Sequence, residues 1–207
     1  NSWTYQDGRT LADGLYTYYV RVVDAAGNIG QITNQVVTVD TVAPAASKTI
    51  KIDGINSDTG LDSYDFITSD NTLTINGTLG AVLAKGEYVQ ISLDGGATWI
   101  MVSSITGIAW SYTDARILAD GNYTYMVRVV DDAGNVGQTA QQIVTVDTVA
   151  PSSVISIGSI SDDSGVSNSD FITNDNTLTL NGSLSKALAA GELAQISLDG
   201  GKTWVSV

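Results

Sequence analysis

Asp120-Gly-Asn-Tyr-Thr-Tyr-Met-Val-Arg-Val-Val130 alternates with period two: Tyr123, Tyr125, Val127 and Val129 fall on one side, Thr124, Met126, Arg128 and Val130 on the other. That is the pattern of a half-buried β-strand, whose successive side chains point to opposite faces. The same pattern stands 107 residues earlier in Asp13-Gly-Leu-Tyr-Thr-Tyr-Tyr-Val-Arg-Val-Val23. The duplication is wider than the strand: Trp3 to Pro44 recur as Trp110 to Pro151, and Asp65 to Val102 as Asp170 to Val207. Self-similarity at a fixed spacing marks a repeat array. Here the period, 107 residues for the first pair and 105 for the second, is one domain long. The sequence thus reads as the C-terminal part of one unit (1–40), a complete unit (41–147) and the N-terminal part of a third (148–207), a piece of a longer string of beads.

No stretch sustains a helical period. Further strands are expected at Thr49–Ile55, Asn71–Asn76, Val89–Leu93, Thr98–Val102, Ala109–Tyr112 and Ile143–Val146, separated by turns rich in Gly, Asp and Asn. About seven short antiparallel strands per unit define an all-β fold of tandem immunoglobulin-like β-sandwiches. Tyr123, two residues before an inward position, is placed to form a tyrosine corner. The joins, Val-Thr-Val-Asp-Thr-Val-Ala-Pro at 37–44 and again at 144–151, carry the chain's two prolines. Proline fixes φ and biases the preceding residue to extended backbone, so these joins should be short and stiff. The partial units at either end should each need a neighbour, with Leu178, Leu180, Ile196 and Leu198 packing against counterparts of Tyr16, Tyr18, Val20 and Val22, because half a sandwich cannot bury its apolar face alone.

The formal net charge is −13. Nucleic acid and anionic membrane surfaces need clustered Lys and Arg, so neither is an expected partner. Only Glu87 and Glu192 among the 22 acidic residues are glutamates. Aspartate belongs in turns and cation sites, so the acidity is a property of loops. The chain has no Cys and no His, which removes disulfides, thiolate metal sites and the commonest general base. No apolar run is long enough to span a membrane. No catalytic residue is assigned, and an enzyme is not expected.

Ser92-Leu-Asp94-Gly-Gly96-Ala-Thr98-Trp99, repeated at Ser197 to Trp204, fits the pattern known as an Asp box. It reads as a hairpin device, with Asp accepting turn N–H groups and glycines supplying positive φ. A glycosidase would need two carboxylates facing each other across a cleft, or a tyrosine nucleophile. Lys48 and Lys51 invite an isopeptide staple to Asn, but neither has a Lys counterpart in the third unit. Arg21 and Arg128 lie on outward strand faces and should pair with acids or be solvated.

In this strand order the loop carrying Asp58 and Asp65, the turn carrying Asp120 and the exit at Asp147 share one end of the bead. The loop carrying Asp131, Asp132 and Asn135 lies at the other end, facing the preceding bead's exit at Asp40. Carboxylates of two beads would crowd at each join and repel unless a cation neutralises them. Calcium suits, because it takes six to eight hard oxygens from Asp, Asn and backbone carbonyls. For each Asp followed by Gly, namely Asp13, Asp94, Asp120 and Asp199, turn capping is the favoured reading, and a metal is favoured for Asp58, Asp65 and Asp147.

Taken together, VTVDTVAP, SDTG with DFITSDNTLT, GEYVQISLDGGATW and DGNYTYMVRVVDDAGNVG resemble the bacterial Ig-like repeats of giant Gram-negative surface adhesins and biofilm-associated proteins. The resemblance implies an extracellular stalk at the bacterial cell surface. Its partners would be neighbouring repeats, with any glycan or cell-surface receptor bound through another domain. It also implies calcium at the joins, with Asp58, Asp65 and Asp147 as ligands and Asp40 in the place of Asp147 at the previous join. The competing function is a carbohydrate- or receptor-binding module.

Overall fold

The structure, a computed structural model, describes all residues from Asn1 to Val207. It is all-β and divides into two compact units, Asn1–Thr148 and Val149–Val207. No helix is long and apolar enough to cross a membrane.

The first unit opens with a hairpin of β1 (Gly14–Val23) and β2 (Ile29–Val39), paired antiparallel from Gly14 against Val39 to Val23 against Ile29. A full sandwich follows. Its strands are β3 (Ile50–Ile55), β4 (Ile67–Thr68), β5 (Thr74–Leu79), β6 (Glu87–Ser92), β7 (Ile100–Met101), β8 (Ser104–Thr106), β9 (Ala109–Thr113), β10 (Gly121–Asp131) and β11 (Val136–Val146). One sheet has the order β3-β5-β9-β8 and the other β4-β11-β10-β6-β7. These are the two interleaved antiparallel sheets of an immunoglobulin-like sandwich. The nine strands exceed the seven expected by β4 and β8, strands of two and three residues that are too short to leave a periodicity. β4 also pairs parallel to β11, the one exception to the antiparallel pattern.

The core lies between the sheets. Leu73, Ile75 and Leu79 come from the first, and Val89, Ile91, Tyr125, Val127, Val129 and Val144 from the second, all buried. The burial of β10 alternates with Tyr125, Val127 and Val129 inside, up to Val130, which the sequence places on the outward face and which is buried as well. Tyr123 completes the corner by donating its hydroxyl to Ala119 O at 2.8 Å, and Tyr16 does the same to Ala12 O at 2.8 Å.

Strand boundaries shift by up to three residues elsewhere, as in β6, expected at Val89–Leu93 and found at Glu87–Ser92, and three shifts have local causes. The strand expected from Asn71 begins at Thr74, because Asp70 Oδ1 accepts both the Thr72 N–H (2.8 Å) and hydroxyl (2.7 Å) and bends the chain into a turn. The strand expected from Thr98 shrinks to Ile100–Met101 because Asp94 holds Thr98 in its hairpin. β11 is longer than expected, starting at Val136, since its solvent-facing Gln and Thr residues hid the pairing with β10.

The second unit, described by itself, holds the hairpin of β12 (Ile155–Ile160) and β13 (Leu180–Leu184) and the short pair β14 (Gln195–Ile196) and β15 (Val205–Ser206). These are the counterparts of β3, β5, β6 and β7.

Candidate functional site

Strand pairing brings Asp65, Asp120 and Asp147 to one end of the sandwich. Ile67 and Thr68 lie against Thr145 and Val146, and Gly121 lies opposite Val146. The Asp147 N–H donates to Thr68 O at 2.9 Å. Asp58 joins this end through the Phe66 N–H, which donates to Asp58 Oδ2 at 3.0 Å. Thr68 fixes the loop further, donating its hydroxyl to Ser57 O at 2.5 Å.

Two features stand out here. Asp58 Oδ1 is buried and has no hydrogen-bond partner, and so is Asp163 Oδ1 at the same place in the second unit. A buried carboxylate oxygen without a donor is costly. Phe66 and Phe171 also both adopt positive φ, 62° and 61°. For a bulky side chain that left-handed backbone is a strained outlier, which persists only where the surroundings over-determine it. The loop therefore buries a carboxyl oxygen without a partner at the same position twice in one chain.

The other acids are committed to protein donors. Asp65 Oδ1 accepts the Ile67 N–H at 2.9 Å. Asp120 Oδ1 accepts both the N–H (2.9 Å) and the hydroxyl (2.8 Å) of Thr148. Asp13 holds Thr41 in the same way at 3.0 and 2.8 Å, so these two Asp-Gly turns clamp the start of each linker. Asp131 Oδ1 accepts the Ala133 and Asn135 N–H groups, and its Oδ2 accepts Asn135 Nδ2–H at 2.9 Å. Asp132 Oδ1 accepts the Tyr88 hydroxyl at 2.7 Å. No group of three or more carboxylates is gathered closely enough to hold a metal ion by itself, so a cation here would draw part of its oxygen shell from amides, backbone carbonyls or water. Asp65 and Asp131 are held by N–H groups two to four residues away, whereas Asp13 and Asp120 each reach a threonine 28 residues along the chain and Asp132 reaches the Tyr88 hydroxyl.

Asn135 behaves as the topology required. Its Nδ2–H donates to Asp40 O at 3.0 Å, joining the loop after β10 to the exit of the preceding hairpin. Beside it Pro44 is buried against Gly137. A Cβ at Gly137 would lie 3.1 Å from Pro44 Cβ and 3.3 Å from its carbonyl oxygen. The join is thus closed by direct contact. Gly137→Val should loosen it while leaving the sandwich folded. The expected readout is faster reorientation of residues 1–41 in 15N relaxation, with β3–β11 amides unchanged.

The Asp box is a hairpin device. Asp94 accepts from the Thr98 N–H (2.9 Å), the Thr98 hydroxyl (2.6 Å) and the Ser92 hydroxyl (2.7 Å), and Trp99 Nε1–H donates to Gly96 O at 3.1 Å. Hydrogen bonds from Thr98 first, then Ser92, hold Asp94 well below the usual carboxylate range. In the second copy Thr203 and Ser197 hold Asp199 down to about 2. Both carboxylates are more acidic folded than unfolded, so they support their hairpins above about pH 4 and the support fades as the pH falls. Faster amide exchange at Thr98 and Thr203 between about pH 4 and pH 2, relative to the β10 core, is the expected result. The cleft over β5 and β9 has one carboxylate in its lining, Asp53, and the cleft of the second unit has none.

Sequence reasoning missed one ionic cluster. Asp114 is buried, accepts Arg116 Nε–H (2.9 Å) and Nη2–H (2.6 Å) at its two oxygens, and receives the Tyr125 hydroxyl at 2.7 Å. Asp7, Arg9 and Tyr18 repeat it, with the tyrosine hydroxyl 2.6 Å from Asp7 Oδ2. The signal was present: Asp-x-Arg with a tyrosine eleven residues after the Asp, in both copies. Two cation readings also change. Arg128 stacks 3.9 Å from the Trp99 ring and donates to Gln90 Oε1, with no acid. Lys48 forms its ion pair with Glu87.

With two antiparallel sheets, a tyrosine corner and hairpin-capping acids, the fold defines an immunoglobulin-like β-sandwich. The chain belongs to the bacterial Ig-like domain family, whose model matches residues 1–41 and 46–148. It is also similar to exoglucanase B of Cellulomonas fimi, with 33% identity over 161 residues. That match takes in 72% of this chain and 13% of the relative, so the chain spans only a small part of the relative's length.

Proposed function

We propose that this chain is a non-catalytic extender segment of an extracellular bacterial adhesin or surface fibre, with calcium stiffening its joins. The repetition supports a spacer: near-duplicate beads with short fastened linkers set a length, whereas a specific binding site needs only one copy. The contacts of Asn135 with Asp40 and of Pro44 with Gly137 favour a stiff rod over a loose tether. A second reading, suggested by exoglucanase B, places the same spacer inside a secreted glucan-acting protein.

The observation that carries calcium is the unpartnered buried Oδ1 of Asp58, repeated at Asp163. A hard cation would take that oxygen, with Asp65, Asp147 and loop carbonyls as further oxygen donors, and would supply the positive charge the loop lacks. Asp120, Asp131, Asp132, Asn135 and Asp40 would act beside it mainly as clamps of the linker.

The test is thermal unfolding and small-angle scattering in calcium and in chelator. Calcium at a hundred times its dissociation constant is expected to stabilise the folded state by roughly 2.7 kcal/mol per occupied site. Asp58→Asn should remove that gain from the middle sandwich. Identical melting and dimensions in both conditions would refute the calcium reading, and reproducible glycan binding by residues 46–148 would favour a binding module.

A further inference from the structure

We propose that the middle sandwich carries a small carbohydrate-binding cleft on its β3-β5-β9-β8 sheet, built around the Asp53 carboxylate. The cleft, of about 320 Å³, is lined by Asp53, Asn76, Thr78, Ser104, Thr106 and Ser111, with Gly77, Ala109 and Trp110 between them. Strand register sets these residues side by side. Asn76 and Ser104 both lie opposite Ser111, and Thr78 and Thr106 both lie opposite Ala109. Small side chains in these two rows leave the hollow. Asp53 enters it from a bulge in β3, where the register shifts between Ile52 and Gly54, and a bulge re-aims the side chain of its extra residue.

Two groups of this lining have no protein partner. The Asp53 carboxylate receives neither a hydrogen bond nor an ion pair. Every other aspartate that precedes a glycine is engaged: Asp7 by Arg9, Asp13 by Thr41, Asp94 by Thr98, Asp120 by Thr148 and Asp199 by Thr203. The second group is the Trp110 Nε1–H, which is buried without an acceptor in a side chain only 3% exposed. Gly77 fixes its place at the cleft floor. A Cβ on Gly77 would stand 2.4 Å from Trp110 Cε2, the ring carbon bonded to Nε1. A buried donor without an acceptor is costly, and an oxygen lodged over Gly77 would supply one.

An unused acceptor, an unused donor and the hydroxyls of Thr78, Ser104, Thr106 and Ser111 define the ligand. A hydroxyl both donates and accepts, so neighbouring hydroxyls of one sugar ring can donate to Asp53 and accept from Trp110 at once. An ammonium would leave the indole N–H unmet, and a carboxylate or phosphate would face Asp53 as a like charge. A volume at the small end of ligand clefts points to a single ring. The cleft is also where the copies differ. Gly158 stands at the position of Asp53 in the following copy, although Asn181, Gly182 and Ser183 keep Asn76, Gly77 and the hydroxyl of Thr78. A recognition site needs one copy, and its acid sets the middle sandwich apart from the next. The cleft adds recognition to the extender role and rests on neither calcium nor the joins.

The test is an NMR titration of the full chain with cellobiose, N-acetylglucosamine and galactose, using acetate and ethylammonium as charged controls. At least one sugar should give saturable shifts of the Trp110 indole N–H and of the Asn76, Gly77 and Ser111 amides, and neither control should. Asp53→Ala should weaken that binding by about tenfold or more, the effect of losing a hydrogen bond to a charged group. Ala109→Leu, which fills the hollow, should abolish it. Both positions are exposed, so the melting temperature should stay that of the parent chain. Its response to calcium should stay as well, which separates failure here from failure of the calcium reading. No shift with any of the three sugars, shifts that survive both substitutions, or equal shifts from acetate or ethylammonium would overturn the proposal.

Discussion

Gly77→Ala is expected to lower the melting temperature of the middle sandwich by more than about 10 °C. Gly77 sits in the centre of β5, between Ile52 on β3 and Trp110 on β9. A Cβ there would stand 2.0 Å from the Lys51 carbonyl oxygen and 2.2 Å from the Trp110 ring. A backbone oxygen cannot rotate away, and the ring is buried among core residues, so relief requires β3 or β9 to move. Overpacking of this kind costs about 3 kcal/mol or more. In a domain of this size each kcal/mol moves the midpoint by roughly 4–8 °C. Gly54→Ala is the control, since its added carbon meets nothing within 4 Å. Calorimetry giving both variants the same midpoint would show that the strand spacing is more yielding than this packing implies.

That glycine illustrates what the sequence did and did not disclose. The sandwich was legible because alternation in Tyr123 to Val129 and its copy reports a two-faced strand directly, and Tyr123 two residues before an inward position marks the corner. Hairpins were legible as well, since Asp94 with Gly95 and Gly96 is a local device whose partners lie within four residues. Gly77 was legible only in hindsight: a glycine inside a strand marks close approach of a neighbour, but naming Trp110 needs the β5–β9 pairing. The acidic loops were less legible for the opposite reason. Carboxylate counts carry no partner information, and Asp65, Asp131 and Asp70 each accept N–H groups of their own loops. Asp58 stands apart because topology buries it, and composition carries no record of burial. Asp114 hid in the same way, read as one more loop acid although Tyr125, eleven residues on, points at it from the core.

Asp114→Ala should destabilise the middle sandwich by about 2–4 kcal/mol, the range for breaking a buried hydrogen-bonded pair when the remaining cation can reach water. Arg116 is partly exposed and can be solvated, but the Tyr125 hydroxyl would be left buried without an acceptor. The pH dependence identifies the cause. Burial alone would raise the Asp114 carboxyl, yet the hydrogen bonds from Arg116 and then Tyr125 together outweigh it and hold the group below its usual range. A carboxyl more acidic folded than unfolded contributes stability above the unfolded value near pH 4, and that contribution disappears as the pH falls toward the folded value. Asp114→Asn keeps the size and one acceptor but cannot titrate. The stability gap between the parent chain and Asp114→Asn should therefore be constant near neutral pH and close progressively as the pH falls below about 4. Taking the difference cancels the other carboxylates with lowered values, Asp70, Asp94 and Asp131 among them, because they titrate in both proteins. A gap that does not begin to close as the pH falls below about 4 would mean that packing around Tyr125, and not the charge on Asp114, holds this corner of the sandwich together.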